Sequence, residues 1–378
     1  MIGAVITRVG DETLALKRPR TQETVVAANI SALAPFDSRD PKKPPTDLRE
    51  VIHDLMSVQD EKAASRRLVE KLISFSSGDL DIVEMGQTRL RLVQADGRRP
   101  QFRLHPQGME VDRDTGLLYI TAVEIIEERD KPRQYWGKGR AHLFECNFEG
   151  KTIRSVNLKG DHEDEYHPSG VVLIDDTMFI ALAQYGPGTS ATIIKFNVKD
   201  WTYEKLFHIQ DHVGLVVPHL DEGELFLGTW GSRHYYCTDM EGNIKSKRPT
   251  PCSDNMEHQD AQLLRGSTDT LNNIALDPTD PGVPCADRDG PMMLVTGVTA
   301  EGMEHFGLDV FDVTSWSIKA SLRWPSSQHM TKGGWAPFAN PTFLWVDSHD
   351  RVLALAAPDY QQTGKDTTLA LYALSRHE

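Results

Sequence analysis

The sequence predicts an all-β protein: a β-propeller of five or six four-stranded blades with a short helical N-terminal extension. Three observations predict it. A histidine-led phrase recurs, "LHPQGMEVDRDTGLLYITAVE" (Leu104 to Glu124) returning as "YHPSGVVLIDDTMFIALAQY" (Tyr166 to Tyr185). From residue 101 onward helical periodicity gives way to short strands separated by Asp- and Gly-rich turns. The last unit stops at Glu378 before a fourth strand, while a spare strand, "TRLRLVQ" (Thr88 to Gln94), lies just ahead of the first. Ring closure by an N-terminal strand accounts for both, because an unpaired blade edge exposes backbone groups.

The chain begins with β-like stretches, "AVITRV" and "ETVVAANI", and a Pro/Lys-rich loop, "DSRDPKKPPTD". In "TDLREVIHDLMSVQDEKAASRRLVEKLISF", Leu48, Val51, Ile52 and Leu55, then Leu68, Leu72 and Ile73, recur at helical spacing. This predicts one broken helix or two short ones, with Thr46 as N-cap. Residues 1–87 are therefore expected to pack as an extension on a propeller of residues 88–378. Its five recognisable units begin at His105, His167, His212, His258-Gln259-Asp260 and Asn340. Their second strands read "LLYITAVE", "TMFIALAQY", "ELFLGTWGS", "PMMLVTGVT" and "RVLALAAPDY", which puts Glu124, Gln184, Trp230 and Asp359 at equivalent ends. Third strands ("AHLFECNFEG", "TIIKFNV", "RHYYCTDMEG", "LDVFDVTS", "TLALYALS") and four fourth strands follow. Residues before "TRLRLVQ" leave room for a partial sixth blade. Two long spacers, "RGSTDTLNNIALDPTDPGVPCADRDG" and "PSSQHMTKGGWAPFA", exceed what a plain blade needs, as functional loops do.

In a propeller the first strand of each blade lines the central channel. The loop entering it emerges on the same face as the loop leaving the second strand. This register gathers His105, His167, His212, Asp260 and Asn340 at one mouth, with Glu124, Gln184, Tyr185, Trp230, Arg233, Asp359 and Tyr360 behind or above them. Polar groups ringed by aromatics are the composition of a small-molecule pocket. One histidine before Pro-X-Gly is ordinary turn chemistry; three at equivalent positions favour a functional ring. Arg233 also suits pairing with an inter-blade carboxylate, and "GDHEDEYH" reads as a solvated acidic loop rather than a metal cluster.

Composition narrows the function further. Lys plus Arg total 41 against 55 Asp plus Glu, a formal charge of -14 that repels nucleic acid. Cys146, Cys237, Cys252 and Cys285 form no CxxC pair, as expected for free thiols in a reducing compartment. No run approaches ~18 apolar residues and the N-terminus lacks a basic leader, so the expectation is a cytoplasmic protein without a membrane span. GxSxG, HExxH, P-loop and GxGxxG signatures are missing from the sequence.

The stretches "HPQGM", "HPSG", "AQYGPG", "DHVG", "GTWGSR" and "APDY" resemble an uncharacterised family of bacterial and fungal propeller-like proteins, a domain of unknown function. The resemblance covers about residues 101 to 375 and carries no reaction. The chain is also similar in character to fungal hetero-Diels-Alderases of natural-product biosynthesis, which couple a tropolone quinone methide to a sesquiterpene such as humulene. That likeness implies a reaction class and assigns no residue.

Chemically, neutral donors and aromatic walls suit cyclisation or (hetero-)Diels-Alder cycloaddition of a small apolar or aromatic natural product, a secondary-metabolism reaction needing no cofactor. On this reading His105, His167 or His212 polarises an enone-like oxygen, Arg233 or Tyr185 assists, and Trp230 and Tyr360 clasp a terpenoid. One histidine acting as general acid is an equal variant. Glu124, Gln184, Asp260, Asn340 and Asp359 complete the expected binding set, with no metal. Two alternatives stand beside it. Propeller lactonases and phosphotriesterases resemble this architecture and hold Ca²⁺ with Glu, Asn and Asp, which implies a hydrolase using Glu124, Asp260, Asn340 and Asp359. A non-catalytic ligand carrier would use the same channel.

Overall fold

Five antiparallel sheets form a ring, four of them each built from one sequence unit and the fifth from both ends of the propeller segment. The computed structural model describes residues 6–9, 13–16, 48–57, 60–76, 80–130, 137–252, 256–264, 291–299 and 304–376. The expected strand "ETVVAANI", the Thr46 cap, Cys285 and the spacer at 265–290 lie outside them. Blade I comprises Arg103–Asp112, Leu117–Glu127, Lys138–Asn147 and Thr152–Leu158. Blade II has its inner strand split into Glu165–Pro168 and Val172–Ile174, followed by Thr177–Gln184, Ala191–Asn197 and Thr202–Ile209. Blade III runs through Val213–His219, Glu224–Thr229, His234–Asp239 and Ile244–Pro249. Blade IV holds Met256–Leu264, Met292–Thr299, His305–Asp312 and Ser317–Pro325.

Blade V takes three strands from the C-terminus, Thr342–Val346, Val352–Ala356 and Thr367–Arg376, and its outer strand from Leu80–Leu90. That strand pairs antiparallel with the last one, from Thr367 opposite Leu90 to Arg376 opposite Leu80. Five blades close the ring. The closing strand begins at Leu80, ahead of the expected Thr88. A register shift at Leu371/Tyr372 leaves Met85 between paired Glu84 and Gly86 and breaks the strict alternation that a sequence reading relies on.

Two helices precede this strand, α1 (Leu48–Met56) and α2 (Glu61–Phe75). The Asp60 side chain accepts from the Ala63 amide at 3.0 Å and starts α2. Leu68, Val69 and Leu72 join the core with Ala320, Leu322 and Leu344 of blades IV and V. Asp54 accepts from the Ser348 amide at 2.8 Å, and Met56 packs against Gly116. Ser348 and Gly116 sit in the hairpin turns joining first and second strands, so the helices cover the face opposite the ends of those strands that carry His105 and Glu127. No helix among the described residues is long and apolar enough to cross a membrane.

The recurring Pro-X-Gly meets its reason at the axis. A methyl group on Gly108 would lie 2.7 Å from the Gly170 Cα, and one on Gly170 would lie 2.7 Å from Asp260 Oδ1. The inner strands of blades I, II and IV converge there. Asp260 is buried, and its carboxylate accepts from the amides of Met109 (3.0 Å), Ala261 (2.9 Å) and Thr342 (3.2 Å), tying blades I, IV and V together.

Candidate functional site: a cavity at the propeller mouth

The inner strands of blades I and II deliver His105 and His167 to the same face, beside the segments that leave their second strands. Between them lies a cavity of about 230 Å³. Its polar lining includes His105, His167, Arg103 and Arg129, and its aromatic lining Tyr166, Tyr185, Trp335 and Tyr360.

One wall is a stack. Trp335 lies on Tyr360 with centroids 4.6 Å apart and planes 13° apart, and His105 lies 3.9 Å from the same Tyr360 ring. Arg103 sits 4.8 Å over that ring and pairs with Glu128 at 2.7 Å. Trp335 is presented by a turn in which Gly334 adopts φ 85° and the Thr331 hydroxyl accepts from the Trp335 amide. Thr331 in turn donates to Asp359. Opposite, the Arg129 guanidinium donates to the Tyr185 hydroxyl at 3.1 Å and lies 5.1 Å from its ring. Trp230 buttresses Tyr185 edge-on at 5.2 Å.

The histidines divide their nitrogens. His105 Nε2 lies 2.7 Å from Asn340 Oδ1, while the Asn340 amide group donates to the Pro358 carbonyl. This makes His105 Nε2 the donor and leaves Nδ1 with the lone pair. His212 Nδ1 donates to the Gln184 carbonyl at 2.8 Å, which leaves its Nε2 unprotonated. His167 lies 5.8 Å from His212 and 4.7 Å from Tyr185, ring to ring. It is 8% exposed, and its Nδ1 is buried with no hydrogen-bond partner among the described residues.

Loss of solvation dominates their titration. Burial, with the charges of Arg103 and Arg129, lowers His105 to about 3 against the opposing Asn340 hydrogen bond. His212 is lowered to about 4, again by burial. Burial followed by His212, His105 and Arg129 holds His167 well below the ordinary imidazole value. At neutral pH the three rings are therefore neutral donors and acceptors.

Of the residues singled out in the sequence, His105, His167, Tyr185 and Tyr360 line the cavity. Asn340, His212 and Trp230 stand directly behind them. The others face elsewhere. Glu124 is 0% exposed, and its carboxylate accepts from the amides of Gln101 and Phe102 and meets His142 at 3.2 Å. Gln184 donates its side chain to Asp164 and contributes only its carbonyl to His212. Asp260 is at the axis, Asp359 supports the Trp335 turn, and Arg233 is exposed, its carbonyl accepting from Thr250. Glu124, Asp260 and Asp359 do not form a metal-sized group, so the set suggested for Ca²⁺ does not fit together among the described residues.

Arg103, Glu127, Glu128, Arg129, Tyr166 and Trp335 were not anticipated. "EIIEERD" extends blade I past the end of the repeat, and its charges read as a solvated loop. Trp335 did carry a signal, since a tryptophan after Gly-Gly stands in a spacer too long for its blade.

Residues 88–255 match a family described as of unknown function (DUF6454). No curated protein matches the chain. Similar solved structures include a protein of unknown function from Bacteroides caccae, with 10% identity, TM-score 0.35, and coverage of 66% of this chain and 79% of that one. A putative glycoside hydrolase from Parabacteroides distasonis has 10% identity, TM-score 0.36, and coverage of 72% and 87%. The tail fiber of Staphylococcus aureus phage P68 has 12% identity, TM-score 0.40, and coverage of 81% and 56%. Likenesses this distant say nothing about the reaction, and over the matched segment the chain is similar to a family whose function is open.

Proposed function

We propose that the mouth cavity binds a small planar ligand with a conjugated carbonyl and polarises its oxygen through the neutral His167 imidazole, in a cyclisation or (hetero-)Diels-Alder reaction. The observation that carries this is His167. It lines the cavity, burial keeps it neutral, and no described residue takes a hydrogen bond from its Nδ1, so its ring proton is not committed as those of His105 and His212 are. The Trp335–Tyr360 stack offers a flat wall for a conjugated ring. A cavity of about 230 Å³ suits the smaller, oxygen-bearing partner of such a reaction; sites for drug-sized ligands span roughly 300–1,000 Å³.

The lowered histidine titration favours hydrogen-bond polarisation over the general-acid variant, because imidazolium is scarce at neutral pH. Glycoside cleavage is less well supported. It needs an acid and a base carboxylate flanking one bond, whereas Glu127 and Glu128 are exposed at the rim and pair with Lys138 and Arg103.

The test supplies a tropolone quinone-methide precursor with humulene to the wild type and to His167→Phe, following adduct rate and stereochemistry. A single favoured stereoisomer formed faster than in buffer is expected, and the variant should lose about 10²-fold of the rate, the usual effect of removing one polarising donor. Adduct formed at the enzyme-free rate and in the enzyme-free mixture rejects catalysis. Binding without turnover, read from a ligand-dependent change in tryptophan fluorescence that Trp335→Phe abolishes, would then assign a carrier.

A further inference from the structure

We propose that the entry loop of blade II carries a zinc-type metal site formed by His162, Glu165 and His208, separate from the mouth cavity. The acidic run "GDHEDEYH" supplies two of these residues, and folding brings His208 from the outer strand of the same blade to meet them. One ligand atom from each lies within 4.8 Å of the others. His208 Nε2 is 3.0 Å from Glu165 Oε1, and the His162 and His208 rings meet edge-on at 5.2 Å. Two ligands on a tetrahedral zinc, each about 2.0–2.1 Å from the metal, stand roughly 3.3 Å apart. The Glu165–His208 pair is already near that spacing, and the exposed His162 ring has freedom to close on it.

Glu165 accepts hydrogen bonds from the hydroxyls of Ser190 and Thr192 and from the amides of Asp161 and His162. Four of its five donors are hydroxyls or amides anchored in the blade, and such outer contacts orient a metal-binding carboxylate. The fifth is His208. A metal would replace that single hydrogen, with His208 shifting to its Nδ1–H tautomer and Nε2 and Oε1 sharing the cation. Two imidazoles, one carboxylate and an open position form a donor set that zinc accepts. Occupation would clamp the entry loop to the outer strand of blade II, and Tyr166 and His167 directly follow Glu165.

Chelator-treated full-length protein titrated with ZnCl2 tests this by calorimetry and thermal melting. A single equivalent should bind and raise the melting temperature. His162→Ala and His208→Ala should each weaken binding roughly tenfold or more, while His349→Ala, at an exposed histidine elsewhere, leaves it unchanged. Both tested histidines are exposed, so the folded variants remain readable even if Glu165→Gln does not fold. Absence of a single-equivalent event in the wild type, or affinity unchanged in both histidine variants, overturns the site. Neither result depends on the reaction proposed for the cavity.

Discussion

His105 is held by Asn340 on one side and by the Tyr360 face on the other, so its orientation is set before any ligand arrives. The buried titrating groups of the channel act in opposite directions. Glu110 is pushed up to about 8, mainly by burial and against the amides of Val111 and Leu173. Between about pH 4.5 and 8 the native state keeps a proton there that the unfolded chain releases, so this group loses stability as pH rises. His212, lowered to about 4, works the other way, because the unfolded chain gains a proton below about pH 6.5 and stability falls on acidification. Glu110→Gln removes the first slope. Urea unfolding at pH 5 and pH 8 should show the variant losing less stability across that interval than the wild type, by on the order of 2 kcal/mol; equal losses would mean that Glu110 titrates normally.

Within the blades, repeated devices set each turn and each seam. Asp112 accepts from the amides of Asp114 and Thr115, and Asp347 accepts from those of His349 and Arg351, closing equivalent first hairpins. Trp201 and Trp316 occupy equivalent turns with φ 57° and 56°, and each is covered by an arginine from the preceding blade, Arg154 at 4.0 Å and Arg248 at 5.4 Å. The inner strands tolerate no such bulk. Gly108→Ala places a methyl group against backbone of blade II rather than against a flexible side chain. The expected cost is about 1–3 kcal/mol, measured by chemical denaturation; a variant as stable as the wild type would show that the axis can open.

At the scale of the ring, closure depends on a strand that straddles the boundary drawn at residue 88 from the sequence. Ile82 packs in the core with Leu374 and Tyr372, and the pairing continues through Leu80. A chain beginning at residue 88 would keep only the last residues of that strand, whereas one beginning at 77 would keep it whole. Both lose the helices. The shorter chain should therefore melt at lower temperature than the longer one, because its blade V edge is unpaired. Equal melting temperatures would show that the segment from Leu80 to Gln87 does not contribute to closure.

Period-two alternation, Asp-led turns and a recurring His-Pro-X-Gly are local signals, and they were enough to determine a propeller, its blade starts and two of the cavity histidines. The same repeat puts Tyr185 and Tyr360 at equivalent ends of equivalent strands, which emerge on one face, and both line the cavity. Direction of a side chain is another matter. Glu124 and Gln184 occupy equivalent strand ends, yet each turns to a nearby partner, the Gln101 amide or Asp164, chosen by three-dimensional proximity. Trp335 and Arg129 come from loops outside the repeat, and His162, Glu165 and His208 from a loop and two strands of blade II that nothing periodic links. Folding within the blades and closure of the ring together decided which of these groups meet, since each contact joins residues whose separation in sequence carries no pattern.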